Sequence, residues 1–431
     1  MRLLFFIIMS SILLTGCSGP SPVAELAQDF VVELSRENYT RARSQGTDAF
    51  RAEMGIRELE DLWLEVLMRS GSFLEIQEVY TRDVNGSYFV EIVAIHVNRL
   101  VIWELEYVRG AGAAELAFAS YRVAYMPPLH ADLPAGIVEE TVVVGQIHPL
   151  EGRLTLPAAA GPLPAVVLVH DRGPWDMDAS IFDNRPFRDI AHHLASAGIA
   201  VLRYDAVGYI HPELIGGRVT PHVEAVSPAV WARRLLAEDE RIDQNRVYVL
   251  GHGFGGTMAA LICVRYGYNG WIALAGTPRN PLEREMDALL YAAERVNRPE
   301  GVLWYVEQAA ILFDKLYQME AYEAATFDIL GIPAYFLQNL IHDPPTYYMA
   351  HSVPALILQG TSNFEVFYDR DFELFKLFTR DNAYAEFRLY EGLNHFFMWS
   401  TMRHPNFRDY LTPGVVDSAV LDDIVDWIMS R

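Results

Sequence analysis

Val247-Tyr-Val-Leu-Gly-His-Gly-Phe-Gly-Gly-Thr257 runs from an apolar stretch through a cluster of glycines into the helix-forming Met258-Ala-Ala-Leu-Ile-Cys-Val264. Such a pattern predicts a strand, a sharp turn and a helix. It has the spacing of a G-x-S-x-G nucleophile elbow, whose central serine is lifted above the sheet on a strained turn. Here Gly251, His252, Phe254 and Gly255 are in place, and the centre is Gly253. Glycine has no atom with which to attack. It does adopt positive φ without steric cost, so the turn can outlive the chemistry.

Working outward, the flanking segments alternate strand and helix. Ala165–His170 is a continuous apolar run, as expected of a strand buried on both faces. A leading hairpin is predicted at Thr141–Gly145 and Arg153–Leu156, with helices at Pro186–Ala197, Pro228–Glu238, Asp371–Phe378 and Val416–Met429. Strands are predicted at Ile199–Tyr204, Gly270–Ala275, Ala355–Gln359 and Ala385–Tyr390. A helical insertion, about 281–349, precedes the last two strands. This is a doubly wound α/β arrangement over 136–431.

The region 22–128 reads differently. Helical spacing at Ala24–Leu34 and Leu59–Met68 gives way to strand-like stretches from Phe73 to Ala124, with Asn85-Gly86 as a turn signal. A small α+β domain is expected, joined to the rest by the proline-marked Met126–Pro134. At the amino terminus, Arg2 and the apolar Leu3–Leu14 form a signal peptide too short to span a bilayer. Leu14-Thr-Gly-Cys17 resembles a bacterial lipobox, so residues 1–17 are expected to end in a lipidated Cys17, anchoring the chain in the bacterial cell envelope. Ser18 resembles signals for sorting to the outer membrane, facing the periplasm.

The 431 residues carry a formal charge of −22, which argues against nucleic acid as a partner. With 51% hydrophobic and 21% charged residues, the chain has the composition of a well-cored globular protein. The second cysteine, Cys263, falls in an apolar helix and reads as core. No metal-ligand spacing of Cys and His occurs, and neither metal nor cofactor is expected. Oligomeric state is not legible.

Five motifs in order resemble bacterial α/β-hydrolases of the dipeptidyl-peptidase/esterase-like group. They are Ala165-Val-Val-Leu-Val-His-Asp-Arg-Gly-Pro174, Gly198-Ile-Ala-Val-Leu-Arg-Tyr-Asp205, Val249-Leu-Gly-His-Gly-Phe-Gly-Gly256, Leu358-Gln-Gly360 and Tyr390-Glu-Gly-Leu-Asn-His-Phe-Phe397. The resemblance implies an α/β-hydrolase fold with a helical lid, preceded by a cystatin-like α+β domain. It also implies a Ser-Asp-His triad. His395 is the retained base, Gly253 stands in the nucleophile position, and Asn363 stands in the acid position. An amide can orient an imidazole but cannot stabilise an imidazolium by charge. Glu365 and Asp369 are alternative acids. The oxyanion region is Asp171, Arg172 and Phe254, and Asp171 replaces a glycine beside developing negative charge unless Arg172 neutralises it.

The expectation is therefore a hydrolase domain that is inactive or very weak, retaining the ability to bind an acyl or peptide ligand. Tyr291, Trp304, Tyr305, Tyr317 and Phe396–Trp399 are expected to line the cleft. The alternative is an active esterase or peptidase with His395 as base and its nucleophile elsewhere. Thr257, Ser362 and His252 are the nearby candidates, each with an ordinary structural role beside it. An aspartate nucleophile would have to occupy position 253 and is excluded on that basis.

Overall fold

The computed structural model describes residues 22–431 apart from 98, 111–112, 126–132, 159–160, 216–218, 294–299, 401 and 403–404. The expected signal peptide, Cys17 and most of the predicted linker lie outside the described residues. The chain divides into two compact units, Met1–His130 and Ala131–Arg431.

In the first unit, helices α1 (Pro22–Ser35), α2 (Tyr39–Ser44), α3 (Asp48–Glu53) and α4 (Ile56–Ser70) precede four strands. These are β1 (Phe73–Val84), β2 (Ser87–His96), β3 (Arg99–Arg109) and β4 (Ala114–Tyr125), in an antiparallel sheet of order β1-β2-β3-β4. Asn85 and Gly86 both have positive φ (55° and 92°), the conformation of a two-residue hairpin turn. The apolar face of α1 supplies Phe30, Val31 and Leu34, and α4 supplies Leu59, Trp63 and Val66, all buried against the sheet. Trp63 stacks on Trp103 at a ring distance of 6.2 Å.

The second unit is built on an eight-stranded sheet of order β14-β13-β10-β9-β7-β8-β6-β5. Its strands are β5 (Ile137–Val144), β6 (Leu150–Pro157), β7 (Leu163–Val169), β8 (Ala200–Tyr204), β9 (Ile242–His252), β10 (Trp271–Leu274), β13 (Ala355–Gly360) and β14 (Ala385–Tyr390). A two-residue-per-strand hairpin, β11 (Asp328–Ile329) with β12 (Ile332–Pro333), lies in the insertion. From β8 and β7 through to β14 the pairing is parallel, whereas β5, β6 and β8 pair antiparallel. The fully buried β7 and β10 carry the unbroken apolar runs that two-sided burial demands. Helices α5 (Pro186–Ser196), α6 (Ser227–Ala237) and α7 (Phe254–Tyr266) connect central strands, and α11 (Glu373–Phe378) joins β13 to β14. The insertion holds α8 (Pro281–Ala293), α9 (Glu300–Leu316) and α10 (Ala334–His342), and α12 (Ser418–Met429) closes the chain.

The elbow strand is longer than the predicted Val247–Leu250, because Ile242 already pairs with Leu163 of β7. The leading hairpin is also longer, running in register from Ile137↔Pro157 to Val144↔Leu150. Among the described residues no helix is long and apolar enough to cross a membrane. Cys263 is buried, and burial pushes its thiol up to about 12. His192 and His193 diverge, the first reaching Glu139 and the second Asp422.

Glu139 staples the antiparallel end of this sheet. Its carboxylate meets Arg203 of β8 at 2.8 Å, His192 of α5 at 3.1 Å and the Thr155 hydroxyl of β6 at 3.0 Å. Burial raises its pKa, but the His192 hydrogen bond and the Arg203 charge outweigh burial and bring it down to about 2. A depressed carboxyl stabilises the fold above its unfolded value near 4.5 and loses that contribution as pH falls towards 2. The full contribution is on the order of 3 kcal/mol. The urea-unfolding difference between the wild type and Glu139→Gln should therefore narrow to about half between pH 7 and pH 3. A difference that does not depend on pH would show that the staple acts by packing alone.

Candidate functional site

Four chain segments converge at the carboxyl ends of parallel strands, where sites of open α/β sheets form. Asp171 follows β7, Gly253 follows β9, Asn363 follows β13 and His395 follows β14. The elbow is formed as predicted. Gly253 has φ +54° and ψ −117°, and its N–H donates to the Leu274 carbonyl at 2.9 Å. Helix α7 begins at the next residue. The glycines flanking the turn answer to close approach, since a Cβ on Gly251 would meet the Gly255 and Gly256 backbone inside 3.0 Å.

The Asp171 carboxyl lies over Gly253. A Cβ built on Gly253 would meet Asp171 Cβ, Cγ and Oδ2, all inside 3.0 Å. Oδ1 accepts the Phe254 N–H at 2.7 Å and the Arg172 N–H at 2.7 Å. The Phe254 N–H is the donor expected to serve an oxyanion, and it and the Arg172 N–H of the same oxyanion region both bond one oxygen of the chain itself. Oδ2 accepts from Arg284 Nη1 at 3.0 Å and lies 3.5 Å from His395 Nε2. Burial raises the Asp171 pKa, but Arg284 and His395 more than offset it and hold the carboxyl well below its ordinary value.

One expectation is corrected here. Arg172 does not neutralise Asp171 through its side chain. Its guanidinium lies over the Phe336 ring at 5.0 Å, with Nε 3.7 Å from Glu224. The counter-charge is Arg284, on helix α8 of the insertion, which sequence reasoning missed. No local motif marks it, because it reaches Asp171 across 113 positions of sequence. The side-chain space above the elbow belongs to Asp171, a neighbour from another strand.

Asn363 and His395 are brought together as predicted, and both are buried. Asn363 Oδ1 accepts the N–H groups of Glu365 and Val366, each at 3.0 Å. Its oxygen being so engaged, its NH2 faces His395 Nδ1 at 3.1 Å. Nδ1 must then offer its lone pair, and the ring hydrogen sits on Nε2, which lies 3.5 Å from Asp171 Oδ2. A general base aimed at the elbow needs the opposite tautomer, with its lone pair on Nε2. The ring is held by its loop: Asn394 Oδ1 accepts from Phe396 and Met398, and its NH2 donates to Asp409. His252 Nε2 bonds the His395 carbonyl oxygen at 2.9 Å. Burial, then the nearby His395, lowers the His252 pKa to about 3, so it serves as a neutral donor to that carbonyl.

The other candidates take structural roles. Thr257 Oγ1 donates to the Thr277 carbonyl at 2.7 Å. Ser362 lies on the loop beside Asn363, where its N–H donates to the Leu393 carbonyl. Glu365 accepts from the Tyr410 hydroxyl. Asp369 lies in the 368–372 turn preceding α11. Trp304, Tyr305 and Tyr317 are 55%, 60% and 61% exposed, contrary to the expectation that they line a cleft. Phe396 is buried, stacked on His252 at 5.0 Å. Tyr291 packs on Phe367 at 5.5 Å.

Asp171, Glu365 and His395 each bring one possible ligand atom within 4.8 Å of the others, the raw material of a cation site. Two observations weigh against a cation there. Arg284 already holds Asp171 Oδ2, and the donor end of Asn363 leaves a hydrogen, not a lone pair, on Nε2.

Similarity to known proteins follows this geometry. Residues 166–424 match the model of the Alpha/beta hydrolase family. The chain is 30% identical over 404 residues to Esterase EstD of Thermotoga maritima, covering 93% of this chain and 94% of that one. Among solved structures it overlaps a puromycin-hydrolyzing peptidase of Mycobacterium tuberculosis with a TM-score of 0.44 and 16% identity, over 83% of this chain and 49% of that one. A hyperthermophilic esterase from Pyrobaculum calidifontis overlaps with a TM-score of 0.42 and 17% identity, over 68% and 85%. A family match running from β7 into the final helix, on a sheet that carries the elbow and the histidine loop at its carboxyl edge, makes this chain a member of the alpha/beta hydrolase family.

Proposed function

We propose that this chain is a catalytically retired α/β-hydrolase, descended from a carboxylic ester or peptide hydrolase and anchored in the bacterial envelope through Cys17. The observation that carries this reading is the Asp171 carboxyl above Gly253, seated on both backbone donors an oxyanion would need. Four parts of one mechanism depart together. The nucleophile is a hydrogen atom, and the acid is an amide. The base carries its proton on the wrong nitrogen, and the oxyanion hole is filled by an anion. Similarity to an esterase along nearly the whole chain supports the ancestry. In a serine hydrolase, loss of the nucleophile alone costs on the order of 10⁶ in turnover. An acyl or peptide ligand remains the class of molecule such a domain would bind.

The reading is tested by ester hydrolysis with a p-nitrophenyl acyl ester. The wild type should show no turnover above the rate in buffer. Gly253→Ser alone should stay inactive and lose stability, since its side chain enters the space of Asp171. Activity should appear only when Asp171→Gly and Asn363→Asp accompany it. Turnover by the wild type that disappears with His395→Ala would overturn the reading.

The tautomer is open to a separate check. Replacing the amide by a carboxylate, Asn363→Asp, turns the group facing Nδ1 from donor to acceptor. The ¹⁵N resonances of His395 should change from an Nε2–H ring to one protonated at Nδ1. Identical resonances in both proteins would mean that Asn363 does not set the ring state.

Anchoring is checked by expressing the full chain with radiolabelled palmitate in a bacterium. Label should enter the protein and vanish with Cys17→Ala, which should also release the chain from the membrane fraction.

A further inference from the structure

We propose that the elbow of this chain is an intact anion receptor, specific for carboxylates, that is kept closed by Asp171 acting as a tethered ligand. The inference rests on the retired-hydrolase reading and goes beyond it, assigning the vacated site a ligand chemistry.

The receptor is defined by what surrounds the Asp171 carboxylate. Two backbone N–H groups, from Arg172 and Phe254, reach Oδ1 at 2.7 Å each. The Phe254 donor opens the thirteen-residue helix α7, whose positive end faces the same oxygen. Arg284 donates to Oδ2 from a side chain only 12% exposed. The His395 side chain is 1% exposed, and its Nε2 lies 3.5 Å from Oδ2 with no hydrogen-bond partner of its own. Its hydrogen is fixed there by the amide on Nδ1.

Three of these donors do not come from Asp171 or its neighbour in sequence. The α7 amide belongs to β9 and the elbow, Arg284 to the insertion and His395 to the loop after β14. The elbow is held by Gly253 N–H on Leu274 and the histidine loop by Asn394 and His252, while Arg284 has a second partner on its own helix in Glu285, 3.2 Å from Nη2. A receptor so supported does not need its anion in order to exist. It favours an anion with two oxygens on one carbon, since the N–H pair takes one oxygen while Arg284 and His395 take the other. Asp171 wins the site through its tether, which supplies an effective concentration no free ligand readily matches. A buried arginine without its partner is strongly unfavourable, so removing the tethered carboxylate leaves the receptor with an incentive to recruit another.

Acetate is the direct probe, because it is the whole Asp171 side chain, Cβ included, with one hydrogen added, and Asp171→Gly vacates that same set of atoms. Thermal unfolding of Asp171→Gly should show a saturable, millimolar acetate-dependent rise in Tm that sodium chloride at equal ionic strength and acetamide do not reproduce. Wild type and Asp171→Asn should stay flat under the same titration, because their sites remain filled. The double variant Asp171→Gly with Arg284→Gln should lose the response. If Asp171→Gly does not fold unaided, the readout becomes its refolding yield in acetate against acetamide, and a selective gain with acetate is expected. An Asp171→Gly protein indifferent to acetate by both measures would overturn the proposal, as would a response undiminished by Arg284→Gln. Ester turnover by the wild type would instead sink the retired-hydrolase reading, so the two failures are separable.

Discussion

A negative charge buried over the elbow glycine is the constraint to which the rest of this site answers. Taking a carboxylate out of water costs several kcal/mol unless charge and hydrogen bonds compensate. Asp171 is compensated from three directions, by the amides of the turn, by Arg284 and by the imidazole edge of His395. Each partner comes from a different part of the second unit. The ion pair thus ties helix α8 of the insertion to the central strands.

The surrounding scaffold keeps the precision that catalysis would have required. Asp371 is fully buried and receives Arg279, the Thr277 hydroxyl and the Phe367 amide, which fixes the loop that carries Asn363. Asn394 ties the histidine loop to Asp409, and His252 clamps the His395 carbonyl from the elbow strand. These bonds satisfy buried polar groups, and their loss would be costly whether or not a reaction takes place. Preorganisation of this kind also holds the fold together.

The sheet, the elbow and the pairing of Asn363 with His395 were legible because each is written locally. Apolar runs mark two-sided strands, glycines mark the turn, and the motif order along the chain fixes which loops meet at the carboxyl edge. The role of Asp171 was not legible in full. Its presence beside the site could be read from His170-Asp171-Arg172, but where its carboxyl points depends on an empty Cβ position at Gly253 and on Arg284, which comes from a helix with no motif of its own. The adjacent Arg172 seemed the natural counter-ion by proximity in sequence, yet Phe336 and Glu224 draw its side chain away. The ring state of His395 was hidden for a different reason. It turns on which end of the Asn363 amide is consumed by backbone N–H groups, a fact of loop geometry that residue identity does not carry.

The space shared by Gly253 and Asp171 couples the two positions. While the aspartate is present, any side chain arriving at the turn collides with it, so a serine gained by chance brings strain without reward. While the turn is bare, losing the aspartate strands a cation in the interior. Each single change is uphill, and the way out of the present arrangement passes through two changes made together: the pair behaves as a latch.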